Sequence, residues 1–219
     1  MNVLRRKALA AAPFLLTLAA SPLRALAQDT VPAEGKEYRA VSPPLAPESK
    51  TKVEVIEFFS YACPHCYAFE PVIEPWIAKL PPVVTFTRVP VLFYESWVPL
   101  ARLYYTLDAL GEVKRLHGTV FDAIHKEHQR LIDEAGIGAF LEKQGVPRKK
   151  FTDAWNSFSV QSRMPRVAQL LAAYNIDAVP EIAVDGRYVT SNTMVGGSHE
   201  AVLPVVDYLI AQARKTRKL

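Results

Sequence analysis

Cys63 and Cys66 are the only cysteines in the 219 residues, and they share one tetrapeptide, Cys63-Pro64-His65-Cys66. A disulfide gains stabilising power with the length of the loop it closes, and this one would close almost nothing. The pair therefore reads as a centre for electron exchange, with a thiolate as the reactive species. Other uses fail on spacing. A structural zinc site wants four ligands, and there is no second Cys pair. A c-type haem site needs Cys-x-x-Cys-His, but Tyr67 follows Cys66.

The flanking elements set the direction of the chemistry. Val53 to Phe59 is β-branched and aromatic and reads as a buried strand. Behind the cysteines, Phe69, Val72, Ile73, Trp76, Ile77 and Leu80 recur at helical spacing, with a bend expected near Pro71. Cys63 thus falls where a helix begins. Free backbone N–H groups and the positive end of the macrodipole both favour its thiolate. Pro64 suits the first helical position because it has no N–H to lose. His65 adds an imidazole close to the sulfur. Each unit taken off a thiol pKa is about 1.4 kcal/mol of thiolate stabilisation, so a three-unit shift would favour the reduced pair by about 4 kcal/mol.

Further elements follow in order. Glu37–Val41 is a short first strand, and Val83–Val89 another strand. Helical stripes fill 97–175, one of them including Phe158, with Pro165 starting or kinking the last. Asp185-Gly186 between Glu181–Val184 and Arg187–Thr190 signals a hairpin, and a final helix spans about Ser198–Lys215. Removing the helical block leaves the order of a thioredoxin-like α/β fold, so an all-helical insertion is expected. The segments are 1–27 leader, 28–96 and 176–219 core, and 97–175 insertion.

Residues 1–27 carry Arg5, Arg6, Lys7 and Arg24, then an apolar run and Ala25-Leu26-Ala27, the three parts of a cleavable secretory signal. The whole chain has 26 bases against 22 acids, but all four bases of that leader are lost with it, leaving a formally neutral mature chain. Nucleic acid is therefore not expected as a partner. Arg214 to Lys218 is the one remaining basic cluster and reads as a solvated helix end. Export puts the cysteines in a compartment where disulfides persist.

With these features together, the chain resembles the DsbA family of periplasmic thiol:disulfide oxidoreductases over nearly all of its mature length. The resemblance rests on Val55–Glu70 with its Cys-Pro-His-Cys, the leader, the helical insertion and the late Val179-Pro180. It implies a monomer that donates a Cys63–Cys66 disulfide to reduced or unfolded exported proteins. No cofactor beyond that disulfide is implied, and a DsbB-type membrane quinone oxidoreductase would reoxidise the pair. Cys63 would be attacked, and the more buried Cys66 would resolve. Sequence alone favours a trans bond before Pro180; the resemblance implies a cis one facing the cysteines, with Val179 offering backbone groups to an extended substrate.

Glu57 interrupts an apolar strand and needs a partner or a proton. Arg88 and Glu70 are the candidates. They match positions where the family carries a buried acid, a Lys and a second acid, here with Arg, which keeps its proton. Electrostatic tuning or proton handling for Cys66 and a plain ion pair both fit. His117, His125 and His128 lie in the helical block without an organised acid cluster, and His125 and His128 would share a helix face. No metal is expected there. A disulfide isomerase or reductase of the same fold, or a non-catalytic chaperone, would be the alternative functions. An isomerase of the DsbC type would need a dimerisation domain for which residues 28–52 leave no room.

Overall fold

A computed structural model describes residues 31–219; the expected leader lies outside them. Five strands form one mixed sheet in the order β1-β5-β4-β2-β3. β2 (Val53–Phe59) lies at its heart, parallel to β3 (Val84–Pro90) and antiparallel to β4 (Glu181–Val184). Parallel neighbours need a crossover, and α1 (Pro64–Ile77) provides it. β5 (Tyr188–Ser191) pairs with β4, and β1 is only Arg39–Ala40, shorter than the sequence suggests.

The hairpin between β4 and β5 turns on Asp185 (φ 53°) and Gly186 (φ 68°), both left-handed, and the Arg187 N–H donates to the Val184 carbonyl at 3.0 Å to close the turn. A side chain at Gly186 would also clash with the Leu45 carbonyl. Between β3 and β4 come α2 (Val98–Ala109), α3 (Val113–His125), α4 (Glu134–Lys143), α5 (Arg148–Trp155) and α6 (Phe158–Tyr174). The chain ends in α7 (Val202–Arg217). The fold is thioredoxin-like with an inserted all-helical region.

The sheet separates two cores. Val53, Val55, Ile182 and Val184 pack against Phe69 and Ile73 of α1 and Val206 and Leu209 of α7. Phe58 and Phe59 join Leu103, Leu107, Phe121 and Val167 of the helical block. The insertion is therefore built onto the sheet through a shared core. No helix among the described residues is long and apolar enough to cross a membrane.

α1 runs through Pro71 and Pro75 as one continuous helix. Three local expectations need correction. α6 starts at Phe158, where the Ser157 hydroxyl accepts from the Val160 N–H, so Pro165 lies inside it. Phe158 consequently sits at the first helical position and is 86% exposed instead of buried. Arg217 is no solvated tail: its guanidinium pairs with Asp185 and donates to the Lys52 and Ser49 carbonyls, tying α7 to the hairpin.

Candidate active site

Cys63 is the N-cap of α1, extended at φ −89° and ψ 117°, with Pro64 opening the helix. Its position follows from β2 ending at Phe59 and a tight turn in which the Cys63 N–H donates to the Ser60 carbonyl. Both cysteines are free thiols. They occupy contrasting surroundings. The Cys63 thiol is lowered to about 6, chiefly by the hydrogen bond from the Cys66 thiol, which outweighs its partial burial. Backbone N–H groups of Cys66 and His65 and the His65 imidazole add to the effect. Burial pushes Cys66 well up, and the neighbouring Cys63 sulfur adds to that. Cys66 is wholly enclosed, whereas Pro64 and His65 are exposed.

Val179-Pro180 stands across from the thiol. Its peptide bond is cis, and the Val179 carbonyl lies 3.6 Å from Cys63 Sγ. The Cys63 thiol donates to that carbonyl in the reduced pair. Cys63, Cys66, His65, Pro64, Val179 and Pro180 are thus brought to one place by the β2–α1 turn and the approach to β4.

Beneath Cys66 lies a buried charge cluster. Strand alternation puts Glu57 on the same face as Val53 and Val55, toward α1, and the parallel register sets Arg88 beside it. Arg88 Nε donates to Glu57 Oε2 at 2.8 Å. Arg88 Nη2 reaches Glu74 Oε1 at 2.7 Å and Glu70 Oε1 at 3.5 Å. One guanidinium is shared among three carboxylates. Burial accordingly wins, and both Glu57 and Glu70 are raised to about 7 despite the cation. Glu57 Oε1 is buried with no hydrogen-bond partner.

Sequence reasoning named Glu57, Glu70 and Arg88 but missed Glu74 and His117. Glu74 was legible as the residue one turn beyond Glu70 on the same helix face. His117 was not: it arrives from α3, with Nε2 3.3 Å from Glu70 Oε1 and Nδ1 2.7 Å from the Tyr61 hydroxyl. The expectation that no organised acids lie near it is therefore wrong. Burial, helped by Arg88, lowers His117 to about 3 and keeps it neutral. Donor atoms of Glu70, Glu74 and His117 lie within 4.8 Å of one another, but Arg88 already sits on both carboxylates. His128 lies outside α3 with φ 54°, so it does not share a helix face with His125. His125 instead meets the Tyr61 carbonyl at 2.8 Å and stacks on Tyr67. A cavity of about 860 Å³ opens between α6 and the β2–β3 face, away from the cysteines.

A thioredoxin-like sheet with a Cys-x-x-Cys at the start of its first core helix defines the class: a thiol:disulfide oxidoreductase. Residues 44–202 match the family described as Thioredoxin. Within that class the chain belongs to the DsbA family. It is 44% identical over 202 residues to the thiol:disulfide interchange protein DsbA of Bordetella parapertussis, covering 92% of this chain and 96% of that one. Its counterpart in Pseudomonas aeruginosa is 41% identical over 184 residues, covering 84% and 87%. The crystal structure of Pseudomonas aeruginosa DsbA superposes with a TM-score of 0.80 at 40% identity, over 84% of this chain and 96% of that one. The DsbA structure from Xylella fastidiosa gives 0.77 at 31% identity, over 84% and 99%. The protein is a dithiol oxidase by family and by its Cys pair.

Proposed function

We propose that the enzyme donates a Cys63–Cys66 disulfide to newly exported proteins in the periplasm. The observation that carries this reading is the Cys63 thiol, lowered to about 6 beside a Cys66 thiol pushed the other way. A stabilised thiolate favours the reduced pair, so the disulfide is a strong oxidant. DsbA is the known example of that relation.

The electrons balance in two displacements. A substrate thiolate attacks Cys63 Sγ; a substrate–Cys63 bond forms, and the Cys63–Cys66 bond breaks with its electron pair going to Cys66. A high thiol pKa means that Cys66 then takes a proton, for which Glu57 and Glu70 are the nearby buried acids. A second substrate thiolate attacks the substrate sulfur of the mixed disulfide. The substrate disulfide forms, and Cys63 leaves as its stabilised thiolate. Val179 and Pro180 would border the substrate, whose extended backbone can pair with the Val179 peptide groups. Pro64 starts the helix, His65 supports the thiolate, and Arg88 with Glu57 and Glu70 sets the field under Cys66. A DsbB-type membrane quinone oxidoreductase would take the electrons.

Equilibration of the purified protein with defined glutathione mixtures tests the direction of transfer. A strongly oxidising constant, together with oxidation of a reduced unfolded secreted protein, is the expected result. A thioredoxin-like, reducing constant would overturn the donor role in favour of a reductase.

A further inference from the structure

The α6 side of the sheet is only half covered. Strand alternation points Glu54, Ile56 and Phe58 of β2 to that side, and the parallel register sets Thr85 and Thr87 beside the first two. Phe58 is fully buried, with its ring 5.5 Å from that of Tyr174 on α6. Glu54, Ile56 and Thr85 stay half-buried, and Thr87 is exposed. The cavity of about 860 Å³ lies over this uncovered half, bounded on its other sides by α2, α6 and residues 45–49. That volume falls in the range of small-molecule sites.

Its walls hold polar groups that the fold leaves unused. Tyr104, Tyr105 and Tyr174 line it, and each is more than nine-tenths buried. None of their hydroxyls has a hydrogen-bond partner among the described residues, yet none is a fully enclosed atom. Each hydroxyl is therefore reached by solvent, and the cavity is the open space that all three residues border. Buried tyrosine hydroxyls ordinarily find a partner. Among the described residues Glu54 pairs with no cation; one of its oxygens accepts the Ser49 N–H at 2.6 Å. The neighbouring cations are all engaged. Arg163 pairs with Asp108 at 2.7 Å, and Arg166 pairs with Glu48. The Arg88 guanidinium is held on the opposite face by Glu57, Glu70 and Glu74.

We propose that this cavity is a second binding site, for a small organic cation with an ammonium group on an apolar or aromatic body. Hydroxyls and a carboxylate can all accept hydrogen bonds, and an ammonium only donates them. Of the three acids that line the cavity, Glu54 is the one left without a counter-ion. Tyrosine ring faces add a further attraction for a cation. Ile56, Leu170 and Ala173 offer the apolar body a surface. An anion would meet the Glu54 charge with both α6 arginines already paired. The site lies away from the cysteines, so binding there needs no thiol.

Three probes of similar shape and different charge test this: phenethylamine, phenethyl alcohol and phenylacetate. Each is titrated at neutral pH into the oxidised protein, and the amide resonances of Ile56, Thr87 and Ala173 are followed by NMR. The amine is expected to shift these resonances and to bind about ten-fold more tightly than the alcohol, with phenylacetate weakest. Glu54→Gln is expected to erase the preference for the amine over the alcohol, and the alcohol's own binding shows that the cavity of the variant is intact. Tyr174→Phe is expected to weaken the amine about three-fold. No shift at these residues with the amine, equal binding of amine and alcohol, or a preference unaltered in Glu54→Gln overturns the proposal.

Discussion

Two sides of one tetrapeptide are treated in opposite ways. Around Cys63 the chain gathers donors: the Cys66 thiol, the helix N–H groups and an exposed imidazole, all favouring charge on sulfur. Around Cys66 it gathers burial, the Cys63 sulfur and the Glu57 carboxylate, which disfavour that charge. The thiols are three residues apart in sequence, yet the first belongs to a helix end and the second to the core. Identical side chains thus acquire different jobs from their surroundings alone. A centre with two equivalent thiols would trap its substrate or release it at random; a polarised one leaves in one direction.

The comparison breaks most visibly at the cysteines themselves. Cys63→Ser should abolish oxidation of a reduced substrate, because the attacked sulfur is gone. Cys66→Ser should keep the reactive thiol and accumulate a stable mixed disulfide, since nothing can resolve it. Mass spectrometry of each variant after exposure to a glutathione disulfide distinguishes them, and equal behaviour would mean that the polarity is absent.

The next largest effect lies under Cys66. Arg88→Met removes the guanidinium shared by Glu57, Glu70 and Glu74 and leaves the buried Glu57 and Glu70 carboxylates without it. Breaking such a cluster should cost about 3–5 kcal/mol in a denaturant titration. Arg88→Lys should cost less, keeping the charge but losing the fork that spans Glu57 and Glu74.

A smaller effect sharpens the picture through pH. Glu57 and Glu70 are raised to about 7 in the folded chain, from 4.5. The native state then holds more protons than the unfolded state between those values. Stability from this cluster is therefore present at low pH and lost as pH rises from about 4.5 to 7. Glu57→Gln should flatten that slope, with the stability measured by urea unfolding at several pH values. A slope as steep as that of the wild type would place the titration elsewhere.

Much of this site was legible before any coordinates. Cys63-Pro64-His65-Cys66 at a strand-to-helix junction is local information, and the helix-end effect acts over a single turn. Glu57 announced itself as a charge in an apolar strand, and Arg88 as a base on the next one. The Asp185-Gly186 hairpin was equally plain, because positive φ angles restrict residue choice. The failures were of another kind. Phe158 looked like core because it continued an apolar pattern, yet Ser157 caps a new helix there and turns it outward. Arg217 looked solvated because its partner, Asp185, lies 32 residues away in the hairpin.

The sequence by itself determined the chemistry: which residues can carry electrons, which element presents them, and that a buried acid needed an answer. Arg88 was already a candidate for that answer, and tertiary structure decided what gathers around it. His117 comes from the helical block, Glu74 completes the triple share of one guanidinium, and Val179 and His199 reach the cysteine turn from the far end of the chain. Local pattern encodes helix ends and strand faces because their forces act between near neighbours. Charge balance and hydrogen-bond chains depend on groups that meet only when the sheet closes and the insertion packs upon it.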